Sequence, residues 1–301
     1  IRVRPATPSP VPEPLVSTLA LLARTLVILV SAWWAGEPPV VEPPVVEPPV
    51  TEPATATPPA DPAATAPATP ADPARAILER ARAATEGMSR FSADLRYVVE
   101  DVLEGRTTAR GGRVLYERRT LEDGGDRLAV VFTSITENNR RRTRDRHYAI
   151  QGRWLAEVDR ESRVFVKRAI APAGERFDPF DLGEGGFPLP VGQDPDAVLA
   201  EFTAEPLDLP TEGLLARLPR EQAEGLRLVP RPGTPMAEDV SELELFYDRA
   251  TGIPLGVRVT KGAKLETVLL SQIARDPEFT EDDVSRLSLE PPGEGWSVDI
   301  R

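Results

Sequence analysis

The sequence predicts a mainly β protein, α+β in class: a single large, curved, antiparallel sheet with a few helices packed on it. Three observations carry that expectation. From Arg90 onward, apolar and polar residues alternate in short runs divided by turn residues, and at least nine such runs can be read. Helical patterns are confined to three short stretches, each with its own start signal. Prolines crowd the N-terminus, 18 of the 33 falling in the first 75 residues, which leaves residues 76–301 as one domain of ordinary size.

The first helix opens at Asp72-Pro73, an N-cap candidate followed by a proline at the first helical position. In ARAILERARAATEGM, Ile77, Leu78 and Ala81 lie on one stripe, and Gly87 can end the helix. FSADLRYVVEDVLEG then alternates Phe91, Ala93, Leu95, Tyr97 and Val99 against polar partners, with a slip of phase at Val98. GGRVLYERR, DRLAVVFTSI and DRHYAIQG come next as strands. WLAEVD, a turn at Arg160-Glu161-Ser162, and RVFVKRAI form a hairpin. Within it Trp154, Ala156 and Val158 share one face, and Leu155, Glu157 and Asp159 share the other. GLRLVP, ELELFYD, PLGVRVT and LETVLLSQI complete the strands. Two helices interrupt them. GQDPDAVLAEF starts at Asp194 and Pro195 with Val198, Leu199 and Phe202 as its apolar face, and TEDDVSRL is capped by Thr280. A sheet with so few helices buries one face well only if the helices plug its concave side.

The remaining N-terminal residues divide in two. Residues 15–35, LVSTLALLARTLVILVSAWWA, are the long apolar run, preceded by Arg2 and Arg4. Val30-Ser31-Ala32 fits a small-x-small cleavage site, while Arg24 is costly at the centre of a bilayer-spanning helix. Residues 1–36 therefore read as a secretory signal or a membrane anchor, and the rest of the chain is expected to be exported. Residues 37–73, with EPPVVEPPVVEPPV at their start, exclude helix and sheet ladders and favour polyproline II. Fully extended they span about 110 Å at roughly 3.1 Å per residue, a spacer carrying the domain at 74–301.

Composition excludes several chemistries. No cysteine is present, so disulfides, thiolate nucleophiles and Cys-based zinc sites fall away. His147 is the single histidine, no serine sits in a G-x-S-x-G elbow, and no His-pair metal motif can exist. No catalytic residue, metal site or cofactor is expected, and the chain reads as a non-enzyme. The net charge of −12 argues against nucleic acid as a partner. The run Arg140-Arg141-Arg142, Arg144, Arg146 reads as a solvated strand face, with Arg140, Arg142, Arg144 and Arg146 on one side and Thr143, Asp145 and His147 on the other. Glu281, Asp282 and Asp283 read as helix-start charges.

In order, the opening helix with FSADLRYVVED, then YAIQGRWLAEVDRESRVFVK, LELFYDRATGIPLGVRVT and ETVLLSQIARDPEFTEDDVSRLSLEPPGEGW resemble the LolA-like family of lipoprotein carriers and sorting proteins. The resemblance covers nearly all of residues 76–301. It implies an unclosed antiparallel half-barrel, helices over its concave face, and lipid or lipoprotein acyl chains as ligand. It also implies a periplasmic or envelope location, a carrier or sorting role, and a membrane-protein donor or acceptor as partner. The alternative is an envelope-stress sensor or interaction domain of RseB-like type, held at the inner membrane. On this resemblance the cavity candidates are Leu95, Tyr97, Trp154, Ala156, Val158, Leu243, Leu245, Tyr247, Val257 and Val259. Phe177, Phe180, Phe187 and Phe202 are candidates for the lid or mouth. The chain departs from the family in lacking an Arg-Trp pair before the Gly turn, in the long FDPFDLGEGGFPLPVGQ segment, and in its Pro-rich tether.

Overall fold

A computed structural model describes residues 72–172, 194–234 and 236–301. Helix α1 (Pro73–Thr85) starts as its sequence dictates, the Asp72 side chain accepting from the Ala74 N–H at 3.0 Å. The chain then runs as a meander: β1 (Arg90–Asp101), β2 (Arg106–Glu117), β3 (Arg127–Glu137), β4 (Arg140–Gln151), β5 (Trp154–Asp159) and β6 (Val164–Ala169). The second half opens with α2 (Pro195–Glu201), capped by Asp194, and passes directly into β7 (Phe202–Leu207). A 3-10 turn (Leu214–Arg217) leads to β8 (Ala223–Pro230), and the short α3 (Met236–Asp239) to β9 (Glu242–Asp248). The chain ends with β10 (Pro254–Lys261), β11 (Lys264–Arg275), α4 (Glu281–Arg286) and β12 (Ser297–Ile300).

All twelve described strands form one sheet in the order β12-β6-β5-β4-β3-β2-β1-β11-β10-β9-β8-β7. Each pair is antiparallel except β12 with β6. The two meanders are joined by one ladder, β1 against β11, from Phe91↔Arg275 to Asp101↔Lys264. The edges β12 and β7 do not pair, so the sheet is an unclosed half-barrel, as expected. Its two edge strands escape the sequence pattern. In β7, Pro206 cannot donate to a ladder and is tolerated because β7 is an edge. Phe202, expected on the helix, is the first residue of β7. In β12 four residues pair only with β6.

Both faces are covered, unequally. One carries the main core: Leu95, Val114, Val130, Ile150, Leu155, Leu226, Leu245, Val257 and Val268 meet Ile77, Leu78 and Ala81 of α1, Val198 of α2, and Met236 with Val240 at α3. Full burial of each such aliphatic side chain stabilises by about 2 kcal/mol. The other face holds three smaller clusters: Ala149, Ala156, Val158 and Phe165 under Leu289 and Trp296; Leu115, Ala129 and Leu287 with Phe279; and Leu215 and Leu218 of the 3-10 turn on Phe246.

Bulges fix which residues face which way. β2 meets β3 with a shift between Gly111 and Gly112, and β3 meets β4 with a shift between Phe132 and Ser134. A Cβ at Gly112 would lie 1.7 Å from the Val131 carbonyl oxygen, so this close approach requires glycine. Among the described residues no helix is long and apolar enough to cross a membrane; residues 15–35 and the candidates Phe177, Phe180 and Phe187 lie outside the described residues.

Candidate ligand-binding face

The main-core face changes character across its strands. On β8 and β9 it is aliphatic, with Leu226 and Leu245 fully buried and Leu243 2% exposed. Towards the end where the β1–β2, β3–β4 and β10–β11 hairpins turn, a row of rings crosses it: Tyr97 on β1, Phe132 on β3 and Tyr148 on β4, with centroids 6.3 and 6.2 Å apart. Beyond the rings come charges. The Tyr97 hydroxyl donates to Glu266 at 3.1 Å, and Lys261 reaches the same carboxylate at 3.4 Å. Asp159 receives Arg144 and Arg146, both at 2.7 Å. On the other side of the rings Glu157, opposite Tyr148, pairs with Arg168 at 3.4 Å. On β4 the face thus runs from Ile150 through Tyr148 to Arg146 and Arg144.

Burial controls the ionisation of these groups. It pushes the Tyr97 phenol well above its ordinary range, with the Glu266 charge adding to it. Tyr148 is raised by burial and then by Glu157. Burial opposes ionisation of Asp159, but the hydrogen bond from Arg146, the Ser162 N–H and the Arg144 charge outweigh it and hold the carboxyl below its usual range. Both phenols are therefore neutral hydrogen-bond donors at ordinary pH.

Helix α1 roofs the face through its apolar stripe and few polar ties. Arg80 forks onto Glu224 of β8 at 2.6 and 2.7 Å, Arg75 meets Asp196 of α2 at 2.7 Å, and Arg118 donates to the Thr85 carbonyl at 3.0 Å. The β9–β10 turn touches the helix at Gly252, where φ is +70° and a Cβ would stand 2.3 Å from the Arg80 carbonyl oxygen. Arg75–Asp196 and Arg82–Asp194 are exposed at both ends and weak, whereas Arg80 meets a Glu224 that is only 13% exposed.

The ten cavity candidates do not share one face. Leu95, Tyr97, Leu243, Leu245, Tyr247, Val257 and Val259 belong to the α1-covered core, and Phe202 joins them from β7. Ala156 and Val158 pack on the opposite face, in the cluster beneath Leu289 and Trp296. Trp154 shares their side, lying between the charges of Arg153 and Lys167 at 4.9 and 5.5 Å. The physical reason is that the hairpin presents apolar groups on both sides: Leu155 faces α1, while the C-terminal segment covers the alternate residues. Sequence reasoning missed Phe132, Tyr148 and Arg110 on the α1 side, because the β2–β3 and β3–β4 bulges reset the alternation.

His147 sits on the opposite face and is 1% exposed. Arg286 of α4 places Nη1 3.4 Å from its Nδ1, while the same guanidinium holds Asp145 and Asp282. Burial first, then the Arg286 and Arg160 charges, push the imidazole pKa down to about 4. The ring is therefore neutral and serves to seat α4, whose Asp283 also meets Arg113 at 2.9 Å and completes the cap with Thr280. Arg144 and Arg146 lie on the face opposite Asp145 and His147, as the alternation predicts.

The sequence matches no protein-family model and no curated protein. Among solved structures the chain is similar to an uncharacterized conserved protein from Thermus thermophilus, at 13% identity over 76% of this chain and 99% of that one, with a TM-score of 0.41. It is similar to MucB in the Pseudomonas aeruginosa MucA/MucB complex, at 16% identity over 70% of this chain and 60% of that one, TM-score 0.37. It is also similar to a LolA superfamily protein from Nitrosomonas europaea, at 9% identity over 69% and 96% of the two chains, TM-score 0.30. At such identities and scores the likeness concerns the fold and carries no statement about activity.

Proposed function

We propose that the chain is an exported, envelope-facing domain that takes lipid or lipoprotein acyl chains against the α1-covered face of its sheet, in a carrier or sorting role without catalysis. One observation carries this reading: an apolar face running across both meanders is roofed by helices held chiefly through their apolar stripes, with one exposed ion pair, Arg75–Asp196, and one half-buried pair, Arg80–Glu224. A roof held by apolar contact can be replaced by an acyl chain laid on the same surface, which recovers about 0.8 kcal/mol per buried methylene. No specific polar group is needed for affinity. Residues 1–36 act as export signal or anchor, 37–73 as spacer and 74–301 as the binding domain. The long apolar segment followed by the spacer also suits a tethered sensor of RseB-like type. The two roles differ in whether residues 1–36 survive in the mature protein.

Native mass spectrometry of the full chain from an envelope-expressing host, with lipid extraction of the same sample, tests the reading. A near-stoichiometric acylated species is expected. A ligand-free mass, together with no binding of an added fatty-acyl probe, would refute it and leave the α1-covered face as ordinary core.

A further inference from the structure

Arg110 of β2 stands opposite Tyr97 of β1 and Ile135 of β3, on the α1-covered face. Its guanidinium carbon lies 5.8 Å from the centre of the buried Tyr97 ring. Lys261, Arg144 and Arg146, around the same end of the face, each have a carboxylate within ion-pair distance. Arg110 has none among the described residues. A half-buried guanidinium without a counter-charge leaves its N–H donors open to an incoming anion. A second group points the same way. Tyr148 is 4% exposed; the Arg146 guanidinium, a donor only, lies at its hydroxyl oxygen, and among the described residues its O–H has no acceptor. Its ring is linked to that of Tyr97 through Phe132, and the Arg110 charge is felt by both phenols, lowering each against the effect of burial.

We infer that Arg110, with the Tyr148 hydroxyl nearby, is a subsite for the anionic headgroup of an acyl ligand, a carboxylate or phosphate oxyanion whose chain lies along the aliphatic centre of the face. Arg110 offers paired N–H donors and Tyr148 one O–H, a donor set that suits an oxyanion. The line Leu226, Leu245, Val257, Val268, Tyr97 and Arg110, one residue from each of β8, β9, β10, β11, β1 and β2, sets the direction in which an amphiphile lies. This inference rests on the acyl-binding reading above and adds the chemical class of ligand to it.

The test is titration calorimetry of the full chain with decanoate, decyl phosphate, decanol and inorganic phosphate, repeated on Arg110→Met and Arg110→Lys. In the wild type the two anionic decyl compounds are expected to bind about ten- to hundred-fold tighter than decanol, and inorganic phosphate far more weakly than decyl phosphate. Arg110→Met should bring the anions to the level of decanol while leaving decanol unchanged, and Arg110→Lys should keep part of the preference. Equal binding of decanoate and decanol by the wild type would overturn the subsite and leave acyl binding standing. So would a loss of all three chains together in Arg110→Met, which marks a structural role. Phosphate binding as tight as that of decyl phosphate would separate the anion from the apolar face and also overturn it. Failure of every decyl compound to bind would refute the acyl-binding reading itself.

Discussion

Replacing His147 by glutamine removes one titrating group while keeping an acceptor for the Arg286 N–H, and its consequence can be worked through the pH scale. The groups facing the imidazole are Arg286 and Arg160, which repel a proton, and Asp145 and Asp282, which attract one. Burial and the two guanidiniums win, and the native pKa falls from 6.5 to about 4. The unfolded chain takes up a proton as pH drops through about 6.5, and the native protein does not until about pH 4. Stability due to this residue is thus intact above that window, is lost as pH falls through it, and is fully lost below it. Linkage over that shift gives a loss of about 2 kcal/mol on going from about pH 7.5 to about pH 5, rising to about 3 kcal/mol near pH 4. Acidification also titrates carboxylates, so the informative quantity is the difference between wild type and His147→Gln. Urea unfolding of both proteins across this range should show the wild type losing its advantage by about 2 kcal/mol at about pH 5. Two parallel profiles would refute the reasoning, since they would mean that the imidazole charges freely in the native state.

Gly112→Ala drives a Cβ into the Val131 carbonyl oxygen and should cost about 3 kcal/mol or more. In Gly111→Ala the nearest atom is the rotatable Ser134 hydroxyl at 3.0 Å, so that control should cost far less, both read from urea midpoints. Asp159→Asn removes the carboxylate from Arg146, whose side chain is only 12% exposed, and should destabilise by about 3 kcal/mol. An unchanged thermal midpoint would place Arg146 in solvent.

Much of the fold was legible where local chemistry decides it. Asp72-Pro73 and Asp194-Pro195 mark helix starts because a short acceptor and a pre-set φ act within one turn. The hairpin Trp154–Asp159 with Val164–Ala169 lies where alternation and its turn place it. The side of the sheet was not legible there. Trp154, Ala156 and Val158 are apolar in alternation, yet the cover of Ala156 and Val158 is Leu289 and Trp296, more than 120 residues along the chain. Strand β7 was hidden by Pro206, an edge residue whose tolerance depends on having no outer neighbour. Tyr148 and Arg110 were invisible as site residues because two bulges in β2–β4 shift the phase without any marker beyond Gly111-Gly112.

The single ladder between β1 and β11 has a kinetic meaning. Strands β1–β6 are all joined by local hairpins, as are β7–β11, so each half can begin to order as soon as its own segment is free. The seam between them waits for partners as distant as Tyr97 and Glu266, 169 residues apart. Closing so long a loop brings an entropic barrier before its hydrogen bonds form, and this seam is the natural slow step of folding. Until β11 arrives, β1 is an open edge with an unroofed apolar face beside it, a surface suited to mispairing. A chain that emerges from its N-terminus passes through that state every time, and conditions that hasten completion of β11 should favour its soluble yield.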